Sequence, residues 1–381
     1  MPDLLIGFDS GASLGKALYQ IQAGDIQLLL MEPEVLGLPY DSIKAYQEGE
    51  GKWGLASPEN DAWVQFSKKD KNCYVVGYLA KYFDAVPRMN LLKYENTLYK
   101  IMAAIGVIQE RLKLPKKFSV GITATLPVSE YVNREQLEIQ LKQSLKSYYF
   151  RDQNLRVELE MFDCLPEGGG VALSLMNAHG VNWLLQRTLV VLMLGHRDTS
   201  CLVFERGVMK PGSAEKLGFF RLVDKVIRRT AGQSQSSLTK AIYEIGEDIN
   251  PDNEILRTLI RSEKAINMET EAKQLAGAIR VARQETWAAL QNWIDSSIPN
   301  ELTTLAVAGG TSRYLEREIS QHLGWTKPYW LTELVVEIKQ VLKLLLFVTN
   351  PSEADALAYR LIDLYCSFTD LLEKQQSSNV A

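Results

Sequence analysis

Asp9-Ser10-Gly11-Ala12-Ser13-Leu14-Gly15-Lys16 puts an acid, two hydroxyls, two glycines and a lysine into one turn after a buried strand. Those groups suit phosphate. Glycines let backbone N–H groups converge on oxygens, a lysine neutralises charge, and an aspartate holds magnesium through water. A polar β-hairpin turn also favours Gly, Asp and Ser, so both readings stand for this segment alone. It is not a Walker loop, because no Gly-Lys-Ser/Thr follows. Near the other end, Leu305-Ala306-Val307-Ala308-Gly309-Gly310-Thr311-Ser312 reads as a strand ending on paired glycines and feeding a helix over Arg313 to Leu323. Such a turn lets a base or ribose lie on bare backbone at a helix N-terminus, although a plain strand-to-helix turn looks the same. Between them come Ile122-Thr123-Ala124-Thr125-Leu126-Pro127 and Leu165-Pro166-Glu167-Gly168-Gly169-Gly170.

The elements that must position these turns alternate. Strands are expected at Leu4 to Phe8 and at Ile26 to Leu30, with the turn Asp9 to Leu14 between them. From Leu36 to Asn72 the chain reads as loop-rich, followed by a strand at Tyr74 to Val76. Leu98, Met102, Ile105, Ile108 and Leu112 predict a helix from about Asn96, and Phe118 to Thr123 the next strand. A helix through Leu145 and a strand at Leu155 to Phe162 follow Pro127. Strands at Leu189 to Leu194 and Cys201 to Phe204 repeat the N-terminal layout. Helices are expected at about Glu254 to Ile266 and Thr270 to Ile298, then a strand at Leu302 to Ala308, and a last helix from Ser352 or Glu353. Strands alternating with helices predict an α/β fold.

With 381 residues, 46% of them hydrophobic, two domains are expected. A net charge of −4 with three histidines gives no basic field, which argues against direct contact with nucleic acid or an anionic membrane. DNA would need an adaptor. Cys73, Cys164, Cys201 and Cys366 are too scattered for a zinc site or a disulfide framework and read as reduced core thiols. The N-terminus carries no export signature, so a cytoplasmic protein is expected. The apolar stretch Val341 to Val348 is too short for a bilayer and reads as core.

Taken together, these motifs resemble the actin-like superfamily, which contains actin, Hsp70, sugar kinases and bacterial filament proteins. Asp9 to Lys16 is similar to its first phosphate motif, including a lysine seven residues after the aspartate. Val307-Ala308-Gly309-Gly310 is similar to its adenosine motif, and Asn350-Pro351 with Ala354 and Ala358 to its second connecting helix. Thr125-Leu126-Pro127-Val128-Ser129-Glu130-Tyr131, Leu165 to Val171, and Gly212-Ser213 with Leu217-Gly218-Phe219 resemble the ParM group of plasmid-segregating actins.

The resemblance implies an actin-like α/β fold, with two duplicated RNase H-like domains flanking a nucleotide cleft. One domain would comprise 1–163 and 350–381, with a subdomain at about 36–72; the other would be 164–349, with a helical subdomain at about 222–275. It implies ATP or GTP with Mg2+ as cofactors. Asp9 would hold the metal's water shell, Ser10, Gly11 and Ser13 would cradle phosphate with Lys16, and Gly309, Gly310 and Thr311 would receive the nucleoside. Glu130 falls where ParM-like proteins orient the attacking water, although a carboxylate favouring a helix N-terminus is an equal reading.

The second phosphate turn departs from the family's Asp-Leu-Gly-Gly-Thr-Thr. Here Met193-Leu194-Gly195-His196-Arg197-Asp198-Thr199-Ser200 places a thioether where the acid belongs. Gly195, His196 and Arg197 remain candidate phosphate contacts. Asp198 takes part of the acid's role, or else pairs with Arg197 at the surface; His196 reads as a turn residue. Slow ATP or GTP hydrolysis with retained binding is expected. The implied function is a self-assembling filament that moves or positions DNA such as a plasmid through an adaptor protein. Alternatives are a filament for cell shape, or a small-molecule kinase, which Met193 disfavours. An Hsp70-type chaperone is disfavoured because nothing after Ala381 would form its peptide-binding domain.

Overall fold

The computed structural model describes residues 2–22, 24–49, 57–86, 91–348 and 350–378, and the chain divides into two units, 1–178 with 332–381, and 179–331. The first unit opens with β1 (Leu4–Asp9), β2 (Gly15–Gln20) and β3 (Gln27–Met31). The sequence reading missed β2, whose Lys16 looks like a turn residue but is buried against Asp9 across the hairpin.

The segment expected to be loop-rich instead holds β4 (Val35–Pro39), α1 (Tyr40–Gly49) and β5 (Ala62–Gln65), and the strand expected after it is β6 (Asn72–Val76), followed by α2 (Tyr78–Tyr82). Its own small core joins Ile43, Trp63, Cys73, Val75, Leu79 and Ala80. Elements this short show little periodicity in sequence. Residues 50–56, Trp53 included, lie outside the described residues.

Next come α3 (Lys93–Leu112), β7 (Lys117–Leu126), a 3-10 turn at Val128–Asn133, α4 (Arg134–Ser144), β8 (Tyr148–Phe150), β9 (Gln153–Pro166) and α5 (Gly169–His179). The strands form one sheet in the order β3-β2-β1-β7-β9-β8-β5-β6-β4, with β1, β7 and β9 mutually parallel. Ile101, Ala104, Ile105 and Ile108 of α3 share a core with Ile6 and Phe8 of β1 and Val120 and Ile122 of β7. Each such aliphatic side chain contributes about 1.5–3 kcal/mol on burial.

The second unit contains α6 (Val181–Leu185), β10 (Thr188–Leu194), β11 (Thr199–Glu205), β12 (Val208–Met209), β13 (Ser213–Glu215), α7 (Phe219–Ile227), α8 (Gln235–Ile245), α9 (Glu254–Arg257), α10 (Ala265–Ser297), β14 (Thr304–Ala308), α11 (Gly310–Tyr314) and α12 (Glu316–Leu323). Its sheet runs β12-β11-β10-β14, with β13 on β11. The helix expected over 254–266 stops at Arg257. Glu271 reaches back to accept from the Arg261 and Ser262 N–H groups and the Ser262 hydroxyl, which stabilises a non-helical link before α10. The helix expected at 313–323 is likewise two, broken at Leu315.

The chain then returns to the first unit with α13 (Thr332–Val341) and α14 (Pro351–Ser378), the latter packed on β1, β2 and β7. The units divide at 178/179 and 331/332 because α5 and α13 both pack against α14. The stretch expected to be core, 341–348, is only partly so. Leu342 and Leu344 are buried, whereas Leu345, Leu346 and Phe347 are 62%, 81% and 52% exposed. All four cysteines are free, and burial pushes Cys73 up to about 11 and the other three up to about 12. Among the described residues no helix is long and apolar enough to cross a membrane.

Candidate functional site

Asp9 ends β1, level with Thr125 on parallel β7 and with Lys16 across the hairpin. This is the carboxyl end of a parallel pair, where open α/β sheets receive ligands. Lys16 Nζ lies 2.5 Å from Asp9 Oδ2. Lys93 Nζ donates to Asp9 Oδ1 at 2.9 Å and to Glu167 Oε1 at 2.6 Å. From α14, Arg360 Nη2 donates to Ser13 Oγ at 2.9 Å. Ser10 Oγ is buried without a hydrogen-bond partner, a group that a bound oxygen would satisfy. A Cβ on Gly11 would collide with the Leu14 carbonyl, so the tight turn requires glycine there.

The two lysines differ electrostatically. Burial lowers the Lys16 pKa, and Asp9 offsets this only partly because Arg360 and Lys93 add like charge. Burial also opposes the charge on Lys93, but Asp9 and Glu167 outweigh it and its pKa is raised. Lys16, with Asp9 as its carboxylate partner, is the less compensated of the two cations. Burial works against ionised Asp9 too, yet Lys16 and Lys93 hold its carboxyl well below the usual range. Behind it, Asp363 of α14 accepts from the Gly168 N–H at 2.9 Å and the Val171 N–H at 3.2 Å. Burial pushes Asp363 up to about 7 against those two hydrogen bonds, helped by Glu167 and Asp9.

Glu130 lies buried in the 3-10 turn, and its Oε2 accepts from the Tyr94 N–H at 2.9 Å. It thus sits at the N-terminus of α3, a different helix from the one that follows it in sequence. Sequence reasoning missed Lys93, Arg360 and Asp363, and it quoted Glu167 only as part of a motif. One signal for Lys93 was available: it is the first residue of α3, where a cation opposes the helix dipole and needs another reason to be there.

In the second unit, Met193 is the penultimate residue of the equivalent strand, β10, opposite Ser200 and level with Ala308 on parallel β14. The turn closes through Gly195 N–H to the Asp198 carbonyl at 2.9 Å. Its other carbonyls accept from the start of α7: Gly218 N–H to Arg197, Phe219 N–H to Gly195 and Phe220 N–H to His196. Thr311 Oγ1 also donates to the Gly195 carbonyl at 2.6 Å. Gly309 has φ +97°, and a Cβ there would lie 2.5 Å from the Leu194 carbonyl. The structure therefore brings Gly195, Gly309, Gly310 and Thr311 together. Arg197 Nε pairs with Asp198 Oδ2 at 2.6 Å, and this pair is buried rather than at the surface as one reading had it. His196 is half-buried, its ring 6.3 Å from that of Phe219.

A directly held magnesium ion does not fit these residues. Both Asp9 oxygens already pair with ammonium groups, and among the described residues no group of three or more His, Cys, Asp or Glu could hold a metal.

Two sheets each pair an antiparallel hairpin with a parallel strand and end in a glycine-bearing turn, the arrangement of an actin-like α/β fold. Solved structures agree on the fold. Actin-like protein Alp7A is 12% identical with a TM-score of 0.59, over 99% of this chain and 98% of that one. ParM from Bacillus thuringiensis, solved with AMPPNP, is 13% identical with a TM-score of 0.55, over 98% and 100%. Ta0583, an archaeal actin homolog, is 13% identical with a TM-score of 0.54, over 98% and 99%. No family model and no curated protein matches the sequence.

Proposed function

We propose that this chain binds a nucleoside triphosphate, ATP or GTP, and assembles with copies of itself into a filament. The observation that carries the reading is the first unit's turn: a buried lysine, Lys16, and a buried hydroxyl, Ser10 Oγ, that has no partner among the described residues stand at the carboxyl end of a parallel strand pair, in a turn whose tightness needs Gly11. In the first unit, backbone N–H groups, Ser10, Ser13, Lys16 and Arg360 bind phosphate. Magnesium, when present, arrives with the phosphates and screens their charge. Glu130, which accepts from the Tyr94 N–H, and Glu167, which pairs with Lys93 beside Asp9, are the two carboxylates offered to orient the attacking water. Hydrolysis is slow because Met193 offers no acid. The filament reading is supported by fold likeness to proteins such as Alp12, solved as a filament, at 15% identity and a TM-score of 0.53. A net charge of −4 favours an adaptor over direct DNA contact if the cargo is a plasmid.

The test is direct. Purified protein with ATP, GTP or a non-hydrolysable analogue should scatter light and show filaments by negative stain. Persistent monomers at high protein concentration, with every nucleotide, would sink the filament reading; absence of binding to a fluorescent nucleotide would sink both parts.

A further inference from the structure

We propose that Lys93 is a built-in counter-ion, filling the space between Asp9 and Glu167 so that the nucleotide-free protein takes no divalent cation there and phosphate binding in this unit needs none. The nucleotide half of this statement rests on the function proposed above; the cation half does not.

The lysine is fixed from several sides. Its ammonium spans the two carboxylates at 2.9 and 2.6 Å, and its side chain is 6% exposed. Its carbonyl accepts from Thr97 Oγ1 at 2.8 Å, and Glu130 accepts from the next residue's N–H, so the first turn of α3 is held at both backbone and side chain. The second Asp9 oxygen is occupied by Lys16, leaving no free carboxylate edge on Asp9. A magnesium ion demands near-octahedral oxygen ligands at about 2.0–2.1 Å and gives up its waters reluctantly, so it would have to displace a buried ammonium from either Asp9 oxygen.

Charge balance points the same way. Lys16 and Lys93 both pair with Asp9, Lys93 also pairs with Glu167, and Arg360 adds a like charge beside Lys16, so the carboxylates already face several cations. A divalent ion added to that set would be repelled, whereas a phosphate is attracted. Removing Lys93 reverses the case, because it leaves two carboxylates near each other with one paired cation fewer.

The experiment has two arms on the full chain. In the first, nucleotide-free protein is titrated with Mn2+ and bound metal read by electron paramagnetic resonance. Wild type should bind none at about 1 mM, and K93M should bind at least about tenfold more tightly. K93R, which keeps the charge, should stay metal-free. In the second arm, a fluorescent ATP analogue is titrated in EDTA and in Mg2+. Wild-type affinities should agree within about threefold, and K93M should become metal-dependent by about tenfold or more. Wild type that binds Mn2+ as tightly as K93M, or that loses nucleotide in EDTA, overturns the proposal. If K93M does not fold, the wild-type Mn2+ and EDTA measurements still decide. If no nucleotide binds in either buffer, the proposed function fails and the manganese arm alone judges Lys93.

Discussion

The two hairpin turns are built on one plan and serve opposite electrostatics. In each unit a central strand pairs antiparallel with the next and parallel with a later one, and each hairpin has a facing pair seven apart in sequence, at the last residue of β1 and one residue before the end of β10. In the first unit those residues are Asp9 and Lys16, an ion pair; in the second they are Met193 and Ser200, which carry no charge. The first turn holds a buried hydroxyl with no partner among the described residues beside the Lys16–Asp9 pair, while the second spends its carbonyls on the start of α7 and on Thr311. Duplicating a fold therefore duplicates strand register without duplicating chemistry, since register is set by backbone pairing and burial whereas charge is set by single side chains.

The comparison breaks most severely with Asp9→Ala. Two buried ammonium groups would lose their shared partner, at a cost of about 3–5 kcal/mol in stability. Nucleotide-dependent light scattering should vanish, and chemical denaturation should report the lost stability. Gly309→Ala tests the second turn, where the backbone at φ +97° and the Leu194 carbonyl both exclude a Cβ; unfolding should be easier by about 3 kcal/mol. A variant as stable as wild type would show that this turn is looser than its geometry.

Met193→Asp makes the second hairpin resemble the first. Ser200 Oγ is buried without a partner and would donate to the new carboxylate, so the substitution has a hydrogen bond waiting. Phosphate release should accelerate by about tenfold or more. No acceleration would mean that the missing acid is not what slows the reaction.

A last test is a pH slope belonging to the first unit alone. Asp363 is raised to about 7 in the folded chain, so between about pH 4 and 7 the folded state binds more protons than the unfolded one. Its contribution to stability is intact below about pH 4, falls as pH rises through that window by no more than about 1.4 kcal/mol per unit, and is level above 7. Asp363→Asn should remove this fall, and wild-type and variant stabilities measured across the window would run parallel if the assignment were wrong.

Much of this molecule was legible in the sequence. Strong apolar runs marked β1, β7, β10 and β14, and the glycine turns at 11, 195 and 309 were visible by type. What escaped was whatever depends on a partner distant in sequence. β2 looked polar because Lys16 is neutralised by Asp9; the link after α9 depends on Glu271; Leu345 to Phe347 look like core but lack a neighbour in this unit to cover them.

By itself the sequence determined the actin-like α/β plan, the first phosphate-suited turn and the loss of an acid at Met193, because these lie in local residue types and periodicity. Only the tertiary structure decided that Lys93, Glu167, Arg360 and Asp363 surround that turn. They come from α3, the end of β9 and α14, up to 354 residues from Asp9, and buried charges settle wherever folding brings a counter-charge within reach.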